Sequence, residues 1–182
     1  MLELSHHLLD LIENSLAAGA STIKLIVIEN TASDILSLEV TDDGHGLSKD
    51  EINQLCDPFM TSRRFRKVGL GIPLLQQAAQ CCMGGLEIKS KEGVGTKVRA
   101  TFQHSHIDRM PLGDITATIM AVIAAKPDLN LFYVHVVNGR EFTFNTKVLI
   151  NNFKDIPFND VRVLIWIKKY CQDGIKKLYS DK

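Results

Sequence analysis

The sequence predicts an α+β two-layer sandwich, with helices on one face of a mixed, mostly antiparallel sheet and a small α/β annex at the C-terminal end. Three observations predict it. The chain opens on an amphipathic helix, two strand pairs follow, and glycine clusters that lead into helices lie between those pairs. At 182 residues the chain is long enough to bury one core of ordinary size. Lys plus Arg and Asp plus Glu both number 21, so the formal net charge is zero and nothing global directs the chain to nucleic acid or to an anionic membrane. No apolar run reaches spanning length. Cys56, Cys81, Cys82 and Cys171 form no CxxC pair, which together with the absence of a signal segment leads us to expect a reducing cytoplasm. Cys81 and Cys82 read as small apolar fillers of a helix.

Ser5 to Gly19 (SHHLLDLIENSLAAG) carries the first helix. Leu8, Leu11, Ile12, Ser15 and Leu16 recur at i, i+3, i+4, i+7 and i+8, the spacing that lines one side of a helix against a core. Asp10 and Asn14 fall one turn apart on the other side, so a carboxylate and a carboxamide leave a rigid support in the same direction, as a metal or phosphate site requires. Gly19 suits a left-handed helix end. Thr22 to Ile28 and Ile35 to Thr41 read as a strand hairpin, which runs into Asp42-Asp43-Gly44-His45-Gly46 and a short helix over Ser48 to Cys56 with Ser48 as N-cap. Gly44 and Gly46 let backbone approach a ligand more closely than a Cβ allows.

Asp57 to Lys67 (DPFMTSRRFRK) is a basic loop in which Arg63, Arg64, Arg66 and Lys67 lead into Gly69-Leu70-Gly71 and a helix over Ile72 to Cys82. Cations feeding a glycine-rich helix start are a place to put phosphates, because free N–H groups and the helix dipole meet the negative charge there. Leu86 to Ser90 and Thr96 to Phe102 form a second hairpin, the latter alternating Val98, Ala100 and Phe102 against Lys97, Arg99 and Thr101. The expected division is residues 1–103 as one domain, 104–112 as linker and 113–182 as annex. His104 and His106 could ligate a metal, but no third ligand sits nearby. In the annex Asp114 caps a helix carrying Ile115, Thr118, Ile119, Val122 and Ile123, Asn138-Gly139 joins two strands, and a last helix over Phe158 to Tyr179 holds Val161, Leu164, Ile165 and Trp166.

In this order the motifs resemble the GHKL ATP-binding module, of Bergerat fold, shared by gyrase B subunits, heat-shock chaperones, sensor histidine kinases and MutL. LDLIENSLAAGAS resembles its N-box, TDDGHGL its first glycine box, DPFMTSR the segment before the ATP lid, VGLGIPLL the second glycine box and GVGTKVRATF the last box. The resemblance covers roughly residues 4 to 103. It implies that Asn14 coordinates Mg²⁺ on the phosphates of ATP and that Asp42, with Thr96 beside it, accepts a hydrogen bond from the adenine amino group. It further implies that Gly44 and Gly46 let the nucleotide lie against the strand end, that Gly69, Leu70 and Gly71 offer N–H groups to phosphate, and that Arg63, Arg64 and Lys67 are candidate clamps.

Three departures shape the expected function. Where the family's ATPases and serine kinases carry glutamate four residues before the asparagine, this chain has Asp10, an acid able to polarise water or a hydroxyl through a shorter arm; Glu13 points elsewhere and is a poorer base. Only nine residues precede Asp10, so neither the phosphoacceptor hairpin of a sensor kinase nor the dimerising strap of MutL and gyrase is expected, and His6 and His7 are poorly placed as acceptors. Nothing after Gln103 resembles the transducer domain. The resulting expectation is a Mg-dependent ATP-binding protein, a regulatory ATPase or protein kinase module with catalytic Asp10 and a protein partner. A serine/threonine kinase of the anti-sigma-factor kind and a non-catalytic ATP-sensing module are the alternatives.

Overall fold

The computed structural model describes residues 3–56, 71–150, 153 and 156–180. In chain order they form α1 (Leu4–Ala17), β1 (Thr22–Asn30), β2 (Ile35–Asp42), α2 (Lys49–Cys56), α3 (Gly71–Cys81), β3 (Gly85–Lys91) and β4 (Gly95–Gln103). There follow α4 (Ile115–Ala125), β5 (Asn130–Val137), β6 (Arg140–Asn145), α5 (Thr146–Ile150) and α6 (Val161–Leu178). The strands make one sheet in the order β3-β4-β2-β1-β5-β6, antiparallel at every junction except β1 with β5, which run parallel from Thr22↔Asn130 to Glu29↔Val137. Residues 113–182, expected as an α/β annex, therefore extend the same sheet by two strands. No described helix is long and apolar enough to cross a membrane.

Strict alternation decides which face of the sheet is covered. Ile23, Leu25 and Val27 of β1, Leu36, Leu38 and Val40 of β2, and Leu131 and Tyr133 of β5 are all buried on one face. Against them lie Leu4, Leu8, Leu11 and Ile12 of α1, Leu75 and Ala79 of α3, Ile119 and Ile123 of α4, and Val163, Ile167 and Cys171 of α6, in one continuous core. Burying a side chain of this size stabilises the fold by roughly 1.5–3 kcal/mol, so the helical layer is held chiefly by this stripe.

Local chemistry sets the element ends. Ser48 Oγ accepts from Glu51 N at 3.2 Å while Glu51 Oε2 accepts from Ser48 N at 2.8 Å, a reciprocal cap that starts α2. Asp114 Oδ1 accepts from Ala117 N at 2.9 Å and starts α4. Asn138 and Gly139 both take positive φ, 49° and 84°, as a two-residue turn between β5 and β6 demands. Residue 3 offers α1 no side-chain cap; instead Leu4 N and Ser5 N donate to the carbonyls of Pro111 and Leu112 at 3.0 and 2.9 Å. The segment expected as a linker is thus fastened to the helix it follows by a hundred residues.

Two features of the C-terminal part differ from the sequence reading. In α6 the buried side is Val163, Ile167, Cys171 and Leu178, whereas Val161, Ile165 and Trp166 are exposed, with Trp166 stacked on Tyr170 at 5.2 Å. The helix carries two apolar stripes, and periodicity alone does not rank them. The short α5 was not expected: buried Thr146 accepts from Leu131 N at 2.9 Å and donates to Leu129 O at 2.7 Å, which turns the chain back under β5.

At the Gln103 end of the sheet a buried polar cluster ties β1, β5, α6 and residue 104 together. Glu29 Oε1 accepts from His135 Nε2 at 2.9 Å and from the Tyr179 hydroxyl, and Oε2 accepts from His104 Nε2 at 3.1 Å. His135 Nδ1 lies 2.8 Å from the Tyr133 hydroxyl, so the ring bridges two strands' worth of polar groups. Burial pushes the Glu29 carboxyl up, but the hydrogen bonds from His135, Tyr179 and His104 outweigh it and bring the pKa from 4.5 down to about 2. A carboxyl depressed on folding stabilises the fold above its unfolded pKa, and that contribution disappears as the pH falls from about 4.5 to about 2. Glu29→Gln is expected to lower stability at neutral pH by about 1.5–3 kcal/mol and to flatten the acid limb in that window, as read by denaturant unfolding across pH. An unchanged acid limb would show that Glu29 is not the titrating anchor.

Candidate functional site

The site is built at the opposite end of the sheet, where β1 starts and β2 ends. Asp42, the last residue of β2, pairs in register with Thr96 on one side and Ile23 on the other. Its carboxylate is held by three donors from three separate stretches: Ser15 Oγ on Oδ2 at 2.7 Å, and Gly44 N and Thr96 N on Oδ1 at 2.9 and 3.2 Å. Ser15 fell within the apolar stripe in the sequence reading, and it is indeed buried, but its hydroxyl reaches across to the strand end. A carboxylate offers about four acceptor positions, so the bracing leaves one, on Oδ2.

The glycines of the first box are explained by close approach. A Cβ on Gly44 would stand 2.9 Å from both Ala18 Cβ and Ala18 O, and one on Gly46, at φ +70°, would stand 2.1 Å from Lys91 O. The Gly44–Gly46 turn is therefore clamped between the end of α1 and the β3–β4 hairpin. His45 N donates to Ala18 O at 2.9 Å and Gly93 N donates to His45 O at 2.8 Å. Neighbouring Asp43 accepts from Ser21 N, Thr22 N and Ser21 Oγ at 2.7–2.8 Å. Burial raises the Asp43 carboxyl, and these bonds lower it by more, so it sits below the usual range. Thr96 Oγ1 lies 2.7 Å from Ser90 Oγ, which also donates to Gly95 O and accepts from Leu47 N. Ser15, Ser90 and Asp43 are site-building residues that the sequence reading did not assign. Only Ser15 had a visible signal there, a hydroxyl in an otherwise apolar stripe.

On α1, Asp10 and Asn14 are half-buried, and Asp10 lies against the start of α3. Asn14 Nδ2 is buried without a hydrogen-bond partner among the described residues. A Cβ on Gly71 would stand 2.9 Å from Asp10 Oδ2 and from Asp10 Cβ, so glycine at the head of α3 is what lets the second glycine box close on the Asp10 carboxylate. The structure thus brings Asp10 and Gly71 together, with Asn14 one turn on along α1, and Asp42, Gly44 and Thr96 together at the neighbouring strand ends, with Gly46 against the β3–β4 hairpin. Arg63, Arg64, Lys67, Gly69 and Leu70 lie outside the described residues. Among the described residues no group of three or more His, Cys, Asp or Glu could hold an ion, and His104 is bonded to Glu29.

The comparisons with known proteins fit this geometry. Residues 2–106 match the family profile described as histidine kinase-, DNA gyrase B- and HSP90-like ATPase. The chain is 31% identical over 107 residues to the sensor protein kinase PilS of Pseudomonas aeruginosa, covering 56% of this chain and 20% of that protein. It is 30% identical over 119 residues to the non-motile and phage-resistance protein of Caulobacter vibrioides, covering 60% of this chain and 14% of that one. The chain therefore spans a fifth or less of the length of these relatives. Among solved structures, the N-terminal domain of a DNA repair protein superposes with a TM-score of 0.56 at 15% identity, covering 79% of this chain and 52% of that one, a likeness of fold. With more than half its length inside the matched profile, the chain belongs to the histidine kinase-, DNA gyrase B- and HSP90-like ATPase family and carries its GHKL ATP-binding domain.

Proposed function

We propose that this chain binds Mg·ATP at the end of the sheet marked by Asp42 and acts as a regulatory ATPase or protein kinase module working with a protein partner. The observation that carries the reading is the braced Asp42 carboxylate, an acceptor-only group with one position left. Such a group takes an amino hydrogen and repels a carbonyl, which selects adenine over guanine. Fixing its direction beforehand removes the ordering cost from binding.

The phosphate end is supplied by α1 and the head of α3. The Asn14 carboxamide, one turn from a carboxylate, suits Mg²⁺ through its oxygen, since the ion takes few protein oxygens and completes its shell with phosphate and water, while its unpartnered nitrogen is a donor that suits a phosphate oxygen. When bound, Mg²⁺ supplies neutralisation of charge on the phosphate oxygens. Asn14 would orient it, and Asp10 would take the proton of an attacking water or of a partner's hydroxyl. Glycine at position 71 leaves the Asp10 carboxylate room beside the head of α3. The sensing alternative draws support from a different observation: β5 pairs with β1 residue by residue, so residues 113–182 are joined directly to the strand that starts at the site.

Asp42→Asn is expected to weaken ATP binding by roughly 1.5–3 kcal/mol, the range for a hydrogen bond to a charged group, and to narrow the preference for ATP over GTP. Calorimetric titration with both nucleotides reads both effects, and unchanged selectivity would move adenine to another site. Asn14→Ala should remove the Mg²⁺ dependence of ATP affinity while leaving helix content intact, because Ala is the better helix former. Retention of that dependence would sink the Asn14 assignment. Asp10→Asn separates enzyme from sensor: for a general base, ATP affinity stays close to wild type and turnover falls by roughly 10²-fold or more. Absence of hydrolysis or transfer in the wild type with any partner would leave the sensing module.

A further inference from the structure

Asp42, Thr96 and Ser90 are register neighbours across β2, β4 and β3, so their side chains stand in one row, on the face of the sheet that carries Val98, Ala100 and Phe102. The Ser90 hydroxyl closes the outer end of that row. Gly95 O lies 2.9 Å from Ser90 Oγ, and a carbonyl can only accept, so the single proton of Ser90 goes there. Leu47 N donates to Ser90 Oγ at 2.8 Å and fills one of its two acceptor positions. The remaining contact, Thr96 Oγ1 at 2.7 Å, is therefore a bond in which Thr96 donates. Gly95 comes so near β2 that a Cβ on it would stand 2.0 Å from Asp42 O, so the carbonyl that takes the Ser90 proton is fixed against the same strand end.

We propose that Ser90 is a positioning residue for the choice of adenine: by taking the Thr96 hydroxyl proton it leaves Thr96 an acceptor towards the nucleotide and keeps that proton off Asp42. The inference rests on the ATP reading above and deepens it. Asp42 has one acceptor position left, and Thr96 already reaches the same carboxylate through its amide, N to Oδ1 at 3.2 Å. A hydroxyl bond to a carboxylate is charge-assisted, so Asp42 competes with Ser90 for the Thr96 proton. Ser90 holds it because its own bond to Gly95 O polarises its oxygen into a better acceptor, while Asp42 is already served by three donors. Without Ser90 the proton turns to Asp42 and fills the position that the adenine amino group needs. With Ser90 in place, Asp42 and Thr96 are lone-pair groups side by side, and a base edge that meets them must arrive as a donor. The two hydrogens of the adenine amino group satisfy that demand, and the carbonyl of guanine does not. Ser90 acts on the base through Thr96.

The test titrates ATP and purine riboside triphosphate, which is ATP without its 6-amino group, into the full chain with Mg²⁺ and reads the affinities by calorimetry. Wild type is expected to bind ATP about tenfold or more tightly than the analogue, the worth of a hydrogen bond to a charged group. Ser90→Ala should bring that ratio close to one, chiefly by weakening ATP. Ser90→Ala combined with Thr96→Val, which leaves no hydroxyl proton to compete for Asp42, should restore most of the lost preference. A role of Ser90 in the stability of the hairpin alone would weaken both nucleotides together and would not be reversed by removing a second hydroxyl. Should Ser90→Ala fail to fold, Ser90→Cys, whose sulfur is a weak acceptor, is read in the same way. A wild type without preference for ATP over the analogue overturns the adenine reading itself. A wild-type preference that survives the loss of the Ser90 hydroxyl, or a loss that Thr96→Val does not reverse, overturns this proposal alone.

Discussion

The carboxylate of Asp42 is the constraint on which the rest of the nucleotide end depends. Its three donors come from a helix, a turn and a neighbouring strand, and each demands something of its own element. Ser15 at 2.7 Å fixes how far α1 sits from the sheet, Gly44 at 2.9 Å fixes the turn that follows β2, and Thr96 fixes the register of β4. A slip of one residue in β4 would put the wrong amide at the strand end and turn Val98, Ala100 and Phe102 out of the core, so packing and site geometry enforce each other. Gly44 admits no substitute in this scheme, because Ala18 already occupies the space a Cβ would need.

What was legible in the sequence was what local chemistry writes. The spacing of Leu8, Leu11 and Ile12, the Asp114 cap, the Asn138-Gly139 turn and the alternation in β4 each rest on neighbours within a few residues, and each element formed where expected, give or take its ends. Pairing across the chain left no such mark. Nothing near Leu131 announces that its strand lies parallel to Ile23, and the link from Glu29 to His135 spans 106 residues of sequence. In α6 two apolar stripes compete, and the sheet takes Val163, Ile167 and Cys171 over Val161, Ile165 and Trp166. At the site, the order of the boxes pointed to Asp42, Gly44, Gly46 and Thr96, while the Ser15 and Ser90 hydroxyls became visible only once helix, hairpin and strand end were in place.

The sheet has two polar ends with different characters. At the Asp42 end, donors are spent on holding one acceptor ready, and the Asn14 nitrogen has no partner among the described residues. At the Glu29 end every partner is inward: two histidines and a tyrosine converge on one anion, and a second tyrosine closes the ring of hydrogen bonds through His135. The first arrangement leaves positions for a ligand; in the second, three donors are spent on one buried carboxylate.

The eight-residue parallel ladder between β1 and β5 also determines how the chain can be shortened. β1 reads Thr-Ile-Lys-Leu-Ile-Val-Ile-Glu-Asn, nearly all β-branched or aliphatic, with Lys24 as the one cation along it. Inside the sheet it has neighbours on both sides. A fragment that ends at Gln103 would strip one side, presenting a long, flat, apolar edge of unpaired amides and carbonyls, and would also remove the Pro111 and Leu112 carbonyls that cover the first amides of α1. Such an edge is a template for strand addition from other molecules. Here β5, from the last seventy residues, covers that edge of β1 along eight residue pairs.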